Sequence, residues 1–398
     1  MNLVLFDCHT TRENLLPLTF TRPVADIRIG ILTIREKWEK LLGQPSYSLT
    51  TDYLVGKFPA YTGAEGALYV NGAVLPTAEL VEAVKGLGAL KALTVRGKVI
   101  AFKSEKHQLN FENFEGIVRG FSQVEYPHPI TSIEYPWDIF RMNGDALKAD
   151  FALVTAGRKS EPVSTTNTVI GSADHIFIEA GGKVEASVLN TTTGPIYIGA
   201  DAEIMEGSMV RGPLALCEHS ALKMAAKVYG PTTLGPHCKA GGELNNVIFF
   251  GYSNKAHDGF LGNTVIGEWC NIGADTNNSN LKNNYGDVEV YNYRERKAIE
   301  TGLQFCGLIM GDHSKCGINT MFNTGTVVGV SANIFGGDFP PKHIPSFSWG
   351  GSRWLRTFEF EKSTEVAEKM MGRRGIPLTE ADVHILQTIF DSETRDRK

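Results

Sequence analysis

A six-residue period in the second half of the chain restricts the possible folds more than any other feature. Stepping by six from Ile198 meets Ile204, Val210, Leu216, Leu222, Val228 and Leu234, all aliphatic. Four residues beyond each of these stand Ala202, Ser208, Leu214, Ser220, Ala226, Thr232 and Cys238, all small except Leu214. The same two-position rule returns at Met310, Cys316, Phe322, Val328 and Ile334, with Ser314, Thr320, Thr326 and Ala332 as the small partners. Ile170 with Ile176 and Ile266 with Ile272 are shorter pieces of the same pattern. A helix repeats its faces every 3.6 residues and a strand every 2, so six suits neither alone. It suits a solenoid in which each repeat is one short strand and one turn. The apolar residue points inward and the small one sits where the chain bends. Three repeats then close one triangular coil of a parallel β-helix. The competing architecture is a sandwich with regularly spaced strands. The 42 glycines among 398 residues suit a fold with many tight turns.

The register breaks at residues 251–263 and again over 278–305, where the chain turns polar and carries Arg294-Glu295-Arg296-Lys297. Insertions at solenoid corners often carry function. Upstream, strand and helix patterns alternate, which predicts an α/β domain. Leu3–Phe6 and Ala67–Val70 read as strands. Ile31, Ile34, Trp38 and Leu41 share one helical face. Thr77 is placed to cap a helix bearing Leu80, Val81, Val84 and Leu87. Leu93–Val95 and Val99–Phe102 read as a hairpin around Gly97-Lys98. Residues 121–140 read as irregular, and Asp145–Phe151 as a short helix. Two helices are expected after Trp349, one through Val366 and Met370 and one from Thr379. The expected domains are therefore 1–160 (α/β), 161–348 (β-helix) and 349–398 (helical extension).

Composition removes several function classes. With 39 Lys+Arg against 44 Asp+Glu the net charge is −5, which argues against a broad nucleic-acid surface. No apolar run reaches the roughly 18 residues of a membrane span. The start of the chain lacks the basic and long apolar regions of a signal peptide, so a cytoplasmic protein is expected. The cysteines Cys8, Cys217, Cys238, Cys270, Cys306 and Cys316 are scattered and read as free thiols. His313-x-x-Cys316 is the nearest approach to zinc spacing, and no metal ligand set is assigned.

Three stretches together resemble a known family. Leu16-Pro17-Leu18-Thr19-Phe20-Thr21-Arg22-Pro23 resembles the start of a sugar-phosphate nucleotidyltransferase. Ser253-Asn254-Lys255-Ala256-His257-Asp258-Gly259-Phe260-Leu261-Gly262, continued by Asn271-Ile272-Gly273-Ala274-Asp275-Thr276 and Asn280, resembles the acetyltransferase segment of the bifunctional glucosamine-1-phosphate acetyltransferase/N-acetylglucosamine-1-phosphate uridyltransferase family. The resemblance implies a nucleotidyltransferase-like domain joined to a left-handed β-helix, a homotrimer, and acetyl transfer from acetyl-CoA to a sugar-phosphate acceptor. It places His257 on the catalytic base. Asn245, Phe260 and Asn271 fall on acceptor-sugar positions, with Phe260 replacing a Tyr and Asn245 a Lys. Lys255 is expected to pair with the sugar phosphate. Ala274, Asn280, Ile318 and Gly336 fall on the acetyl-CoA path, with Ile318 replacing a Ser.

The N-terminal half departs from that pattern. The family has a Gly-rich loop after its first strand, where backbone N–H groups approach phosphate. Here the strand leads into Asp7-Cys8-His9-Thr10. Val24 follows Pro23 where the family has Lys. Asn71-Gly72-Ala73 replaces a Gly-Asp pair that would hold Mg²⁺. The reading is an acetyltransferase acting on an amino sugar 1-phosphate, with nucleotidyl transfer lost or reworked and Mg²⁺ needed only if it is retained. The alternative is a nucleotidyltransferase for UTP or dTTP with the β-helix as a trimerising scaffold. His313 is the rival base.

Overall fold

The computed structural model describes residues 2–105, 109–395 and 397. The chain divides into two units. One comprises 1–27, 32–135 and 380–385; the other comprises 28–31, 136–379 and 386–398.

The first unit is built on a six-stranded sheet. Its strand order is Ser46–Leu49, Asn2–Phe6, Ala67–Asn71, Lys98–Ser104, Lys91–Val95, Ser122–Glu125. Asn2–Phe6 pairs in parallel with strands on both sides, so the chain order reverses at its C-terminal end. That reversal is where open α/β sheets usually form their ligand crevice. The helices begin where capping chemistry predicts. Thr33 and Glu36 form a reciprocal capping box before Ile34–Leu42, and the Thr77 hydroxyl accepts from Leu80 N–H at the start of Ala78–Lys85. The hairpin around Gly97 is present, Lys91–Val95 against Lys98–Ser104.

The second unit is a parallel β-solenoid. Every aliphatic position from Ile198 to Leu234 lies in its core, at 3% exposure or less. The small residues from Ala202 to Cys238 are buried too, so both halves of the six-residue rule describe inward positions. Ile170 is a correction. It is 44% exposed, and its neighbour Val169 packs on the core in register with Leu189 and Val210. Between 240 and 278 the spacing tightens. Glu243–Gly251 and Phe260–Glu268 each run through a corner as one nine-residue strand. The 278–305 excursion carries an antiparallel hairpin, Glu289–Asn292 with Lys297–Glu300, and its basic run forms the tip. One corner is built from residues in the left-handed region, Asp201, His219, His237, Tyr252, Trp269, His313, Ser331 and Phe347. Five of these stack as a ring ladder, His219–His237–Tyr252–Trp269–His313, with centroids 4.2–6.4 Å apart.

The expected short helix at 145–151 is instead a 20-residue helix, Pro136–Thr155. Proline at a first helical position needs no N–H partner, and the aromatics of residues 137–140 belong to the helix's packed face. Asn143 accepts from Gly30 N–H at 2.7 Å, and Asp150 accepts from Ile31 N–H at 2.8 Å. Arg28 donates to Phe250 O at 3.1 Å, and Thr233 donates to Gly30 O at 2.9 Å. Residues 28–31 and this helix thereby cover one outer face of the solenoid. That is why Ala215, Ile248, Phe250 and Val265, which point outward, are all 2% exposed or less. The tail forms helices Phe360–Gly372 and Glu380–Thr394. Among the described residues no helix is long and apolar enough to cross a membrane.

Truncating an inward residue should test the core directly. Leu234→Ala is expected to cost about 2–5 kcal/mol, read from the denaturant midpoint, because a rigid stack of coils cannot collapse into the cavity.

Candidate functional site

The turn after strand Asn254–Lys255 carries the sequence's strongest candidate. Lys255 stands in an inward column that otherwise reads Val184, Ile204, Leu222, Ala240, Ile272, Cys316 and Ile334. It is fully buried. Its ammonium donates to three backbone carbonyls: Gly241 at 3.2 Å, His257 at 2.7 Å and Asp258 at 3.0 Å. Three N–H groups meet three acceptors, which is how a buried ammonium is tolerated. Burial pushes Lys255 down to about 8, against the opposing pull of Asp258 and Asp275. Lys255 therefore holds the turn from inside, and its three donors are committed there rather than to a phosphate. Gly259 closes the turn at φ +114°, where a Cβ would stand 2.1 Å from Thr276 O. Only glycine fits there. The product is a fixed turn that presents His257 to solvent, its ring without a hydrogen-bond partner among the described residues.

Strand pairing places the predicted cosubstrate residues relative to it. Asn254, Asn271, Lys315 and Asn333 pair in register in successive coils. His257, Ala274, Ile318 and Gly336 each lie three residues beyond one of these. All four consequently share one corner, and coils about 4.8 Å apart spread them over about 14 Å. Ile318 is 70% exposed, and around Gly336 there is open space.

The remaining predicted residues fall on the two adjoining faces. Asn245 and Phe260 share one, through the pairs Glu243↔Phe260 and Asn245↔Gly262. Asn280 lies off the His257 corner, and its amide donates to Asn263 Oδ1 at 2.9 Å. Asn271 is on the other face, beside Asn254. Asn277 and Asn278 hold coil to coil by accepting from Phe260 and Gly262 N–H, both at 2.8 Å. His313 belongs to a different corner, as the last ring of the ladder. Among the described residues no group of three His, Cys, Asp or Glu side chains is placed to hold a metal.

At the reversal in the first unit's strand order, polar side chains bond to one another and to the surrounding loops. Asp7 is buried and accepts from Val24 N–H at 2.8 Å, Thr50 at 2.6 Å and Arg12 at 3.2 Å. Burial pushes its carboxyl up, against Arg12 and these donors. Arg12 also donates to Thr19 O and Tyr53 Oη. Asn71 is fully buried, donates to Val99 O at 3.1 Å and accepts from Ala73 N–H at 3.0 Å. Asp7 and Asn71, at the positions of the family's phosphate loop and Mg²⁺ ligand, are thus occupied in holding the loops, as is Arg12 beside them.

Comparison with known proteins gives matches on both activities. Residues 3–159 match the sugar nucleotidyl transferase family. A bifunctional sugar-1-phosphate nucleotidylyltransferase/acetyltransferase of Sulfurisphaera tokodaii is 29% identical over 164 residues, 41% of this chain and 40% of that one. The bifunctional protein GlmU of Methanococcus aeolicus is 30% identical over 127 residues, 32% of this chain and 26% of that one. GlmU of Synechococcus elongatus is 23% identical over 241 residues, 58% and 49% of the two chains. The chain thus spans about half or less of the length of these curated relatives. Among solved structures, the polysialic-acid-specific acetyltransferase NeuO aligns with a TM-score of 0.25 at 10% identity, covering 52% of this chain and 92% of that one. An Arabidopsis UDP-N-acetylglucosamine acyltransferase aligns with a TM-score of 0.25 at 15% identity, covering 60% and 99%.

Proposed function

We propose that this relative of the bifunctional nucleotidylyltransferase/acetyltransferases moves an acetyl group from acetyl-CoA to the amine of an amino sugar 1-phosphate such as glucosamine 1-phosphate. The observation that carries this reading is the shared corner of His257, Ala274, Ile318 and Gly336, with His257 on a turn fixed from inside by Lys255. A thioester is already activated. What the reaction needs is a base for the proton that leaves the attacking amine, and a donor for the oxygen that gains charge. The exposed His257 imidazole is the group that takes the amine's proton. A backbone N–H of the coil serves as the oxyanion donor. The acceptor sugar lies against Asn245 and Phe260, and the cosubstrate runs along the corner toward Gly336. The two faces that meet at this corner suit a site shared between copies in a homotrimer.

The family match of residues 3–159 favours a second reading, nucleotidyl transfer with UTP or dTTP. The commitment of Asp7, Arg12 and Asn71 to internal bonds argues against it. Two assays separate the readings. Thiol release from acetyl-CoA in the presence of glucosamine 1-phosphate is expected. Pyrophosphate release from UTP or dTTP with a sugar 1-phosphate and Mg²⁺ is expected to stay at background. The opposite pair of results would make the solenoid a scaffold.

A further inference from the structure

The face beside the His257 corner carries an outward column of four residues in successive coils: Lys239, Asn254, Asn271 and Lys315. The C-terminal end of helix Phe360–Gly372 and the turn after it lie over this column. Together they enclose a cleft of about 550 Å³. Its cations are Lys239, Lys315, Lys369, Arg373 and Arg374, and among the described residues no Asp or Glu lines it. Tyr252 and Trp269 line it too.

Four of the five cations in this cleft have no ion-pair partner among the described residues. Lys369 pairs with Glu365 on its own helix. Lys239, Lys315, Arg373 and Arg374 have no ion pair among the described residues. Arg374 donates to His237 O at 3.4 Å, and Lys315 to His313 O at 2.7 Å, both backbone carbonyls. Lys239 is held below the ordinary lysine range first by burial and then by the charges of Arg374, Lys223 and Arg373. Burial brings Lys315 down to about 8. Cations gathered without counter-charge in a half-enclosed site repel one another, and a bound anion relieves that repulsion. Guanidinium forks match phosphate oxygens in pairs, and ammonium groups add point charge. A single phosphate meets two or three of these groups. Cations distributed along a cleft of this size call for a longer, more highly charged ligand.

We propose that this cleft binds an organic diphosphate, held by Lys239, Arg373 and Arg374 at one end, with Lys315 at the other end of the column. That chemistry has two sources, coenzyme A and a nucleoside-diphosphate sugar. The proposal stands apart from the acetyl-transfer reading in its cations, since Lys239, Lys315, Arg373 and Arg374 are none of the groups assigned to that reaction, although Asn271 of the column falls on an acceptor-sugar position.

Calorimetric titration of the full chain with inorganic pyrophosphate, coenzyme A and UDP-N-acetylglucosamine tests it. At least one of the three should bind, and more weakly as salt is raised. The double variant Arg373→Gln/Arg374→Gln should weaken binding about tenfold or more. Lys239→Met should act in the same direction, and it decides the matter if circular dichroism shows that the double variant has lost helix. Lys362→Gln, a charge change on an exposed part of the same helix, should bind like wild type. A preference for coenzyme A would assign the cleft to a cosubstrate, and a preference for the nucleotide sugar to a separate ligand. The proposal is overturned if none of the probes binds at millimolar concentration, or if the Arg373/Arg374 and Lys239 variants bind as wild type does.

Discussion

His257→Ala should lower kcat for acetyl transfer by about 10²–10⁴-fold, the usual contribution of a positioned general base. KM for acetyl-CoA should change little, because the substitution removes a proton acceptor rather than the cosubstrate's path. An unchanged rate would reject His257 as the base. The turn is anchored through backbone carbonyls, so losing the imidazole leaves its scaffold in place and melting should stay close to wild type.

Lys255→Met carries the second large effect, and it separates stability from activity. Two contributions to stability oppose each other. The variant leaves the Gly241 and His257 carbonyls without their donor, at about 1–3 kcal/mol each, while Asp258 O keeps the N–H of Asp275. It also removes a buried charge. The fall from 10.5 to about 8 corresponds to about 3 kcal/mol against the charged form. The two nearly cancel, so stability at pH 7 should lie within about 2 kcal/mol of wild type. Activity should still fall about 10–100-fold, because a turn released by an ångström no longer aims its imidazole. Linkage adds a signature in pH. Between about 8 and 10.5 the unfolded chain binds more protons at this lysine than the folded chain, so wild-type stability rises with pH across that window relative to the variant. A pH-independent difference between the two proteins would show that Lys255 is not buried as a titrating ammonium.

The sequence exposed the solenoid because its rule uses two positions per repeat, and both proved to be inward. It misplaced Ile170 because strand Thr168–Ile170 carries two adjacent apolar residues that face opposite sides, and the six-residue step selects the outward one. Lys255 could not be read as an interior residue. A cation in an aliphatic column makes sense only once three carbonyls are seen to converge on it. The Pro136–Thr155 helix was hidden because its first turn is rich in Pro and aromatics, which resembles loop composition. The alignment of His257 with Ala274, Ile318 and Gly336 is invisible in the linear chain, since the insertion at 278–305 breaks the count and only strand pairing restores it. The basic cleft is illegible for a related reason, because Lys239 and Arg373 come together only through folding.

The four residues 28–31 lie within the first part of the sequence yet fold as part of the solenoid, with helix Pro136–Thr155 as their companion. The genetic boundary between the two halves is therefore not a physical one. A gene fragment starting after the helix would encode a prism stripped of its coat, with Ile248, Phe250 and Val265 turned to water. Deleting the sugar nucleotidyl transferase-like half would likewise remove residues 28–31. Four residues early in the sequence thus act as a clasp for a structure completed more than a hundred residues later.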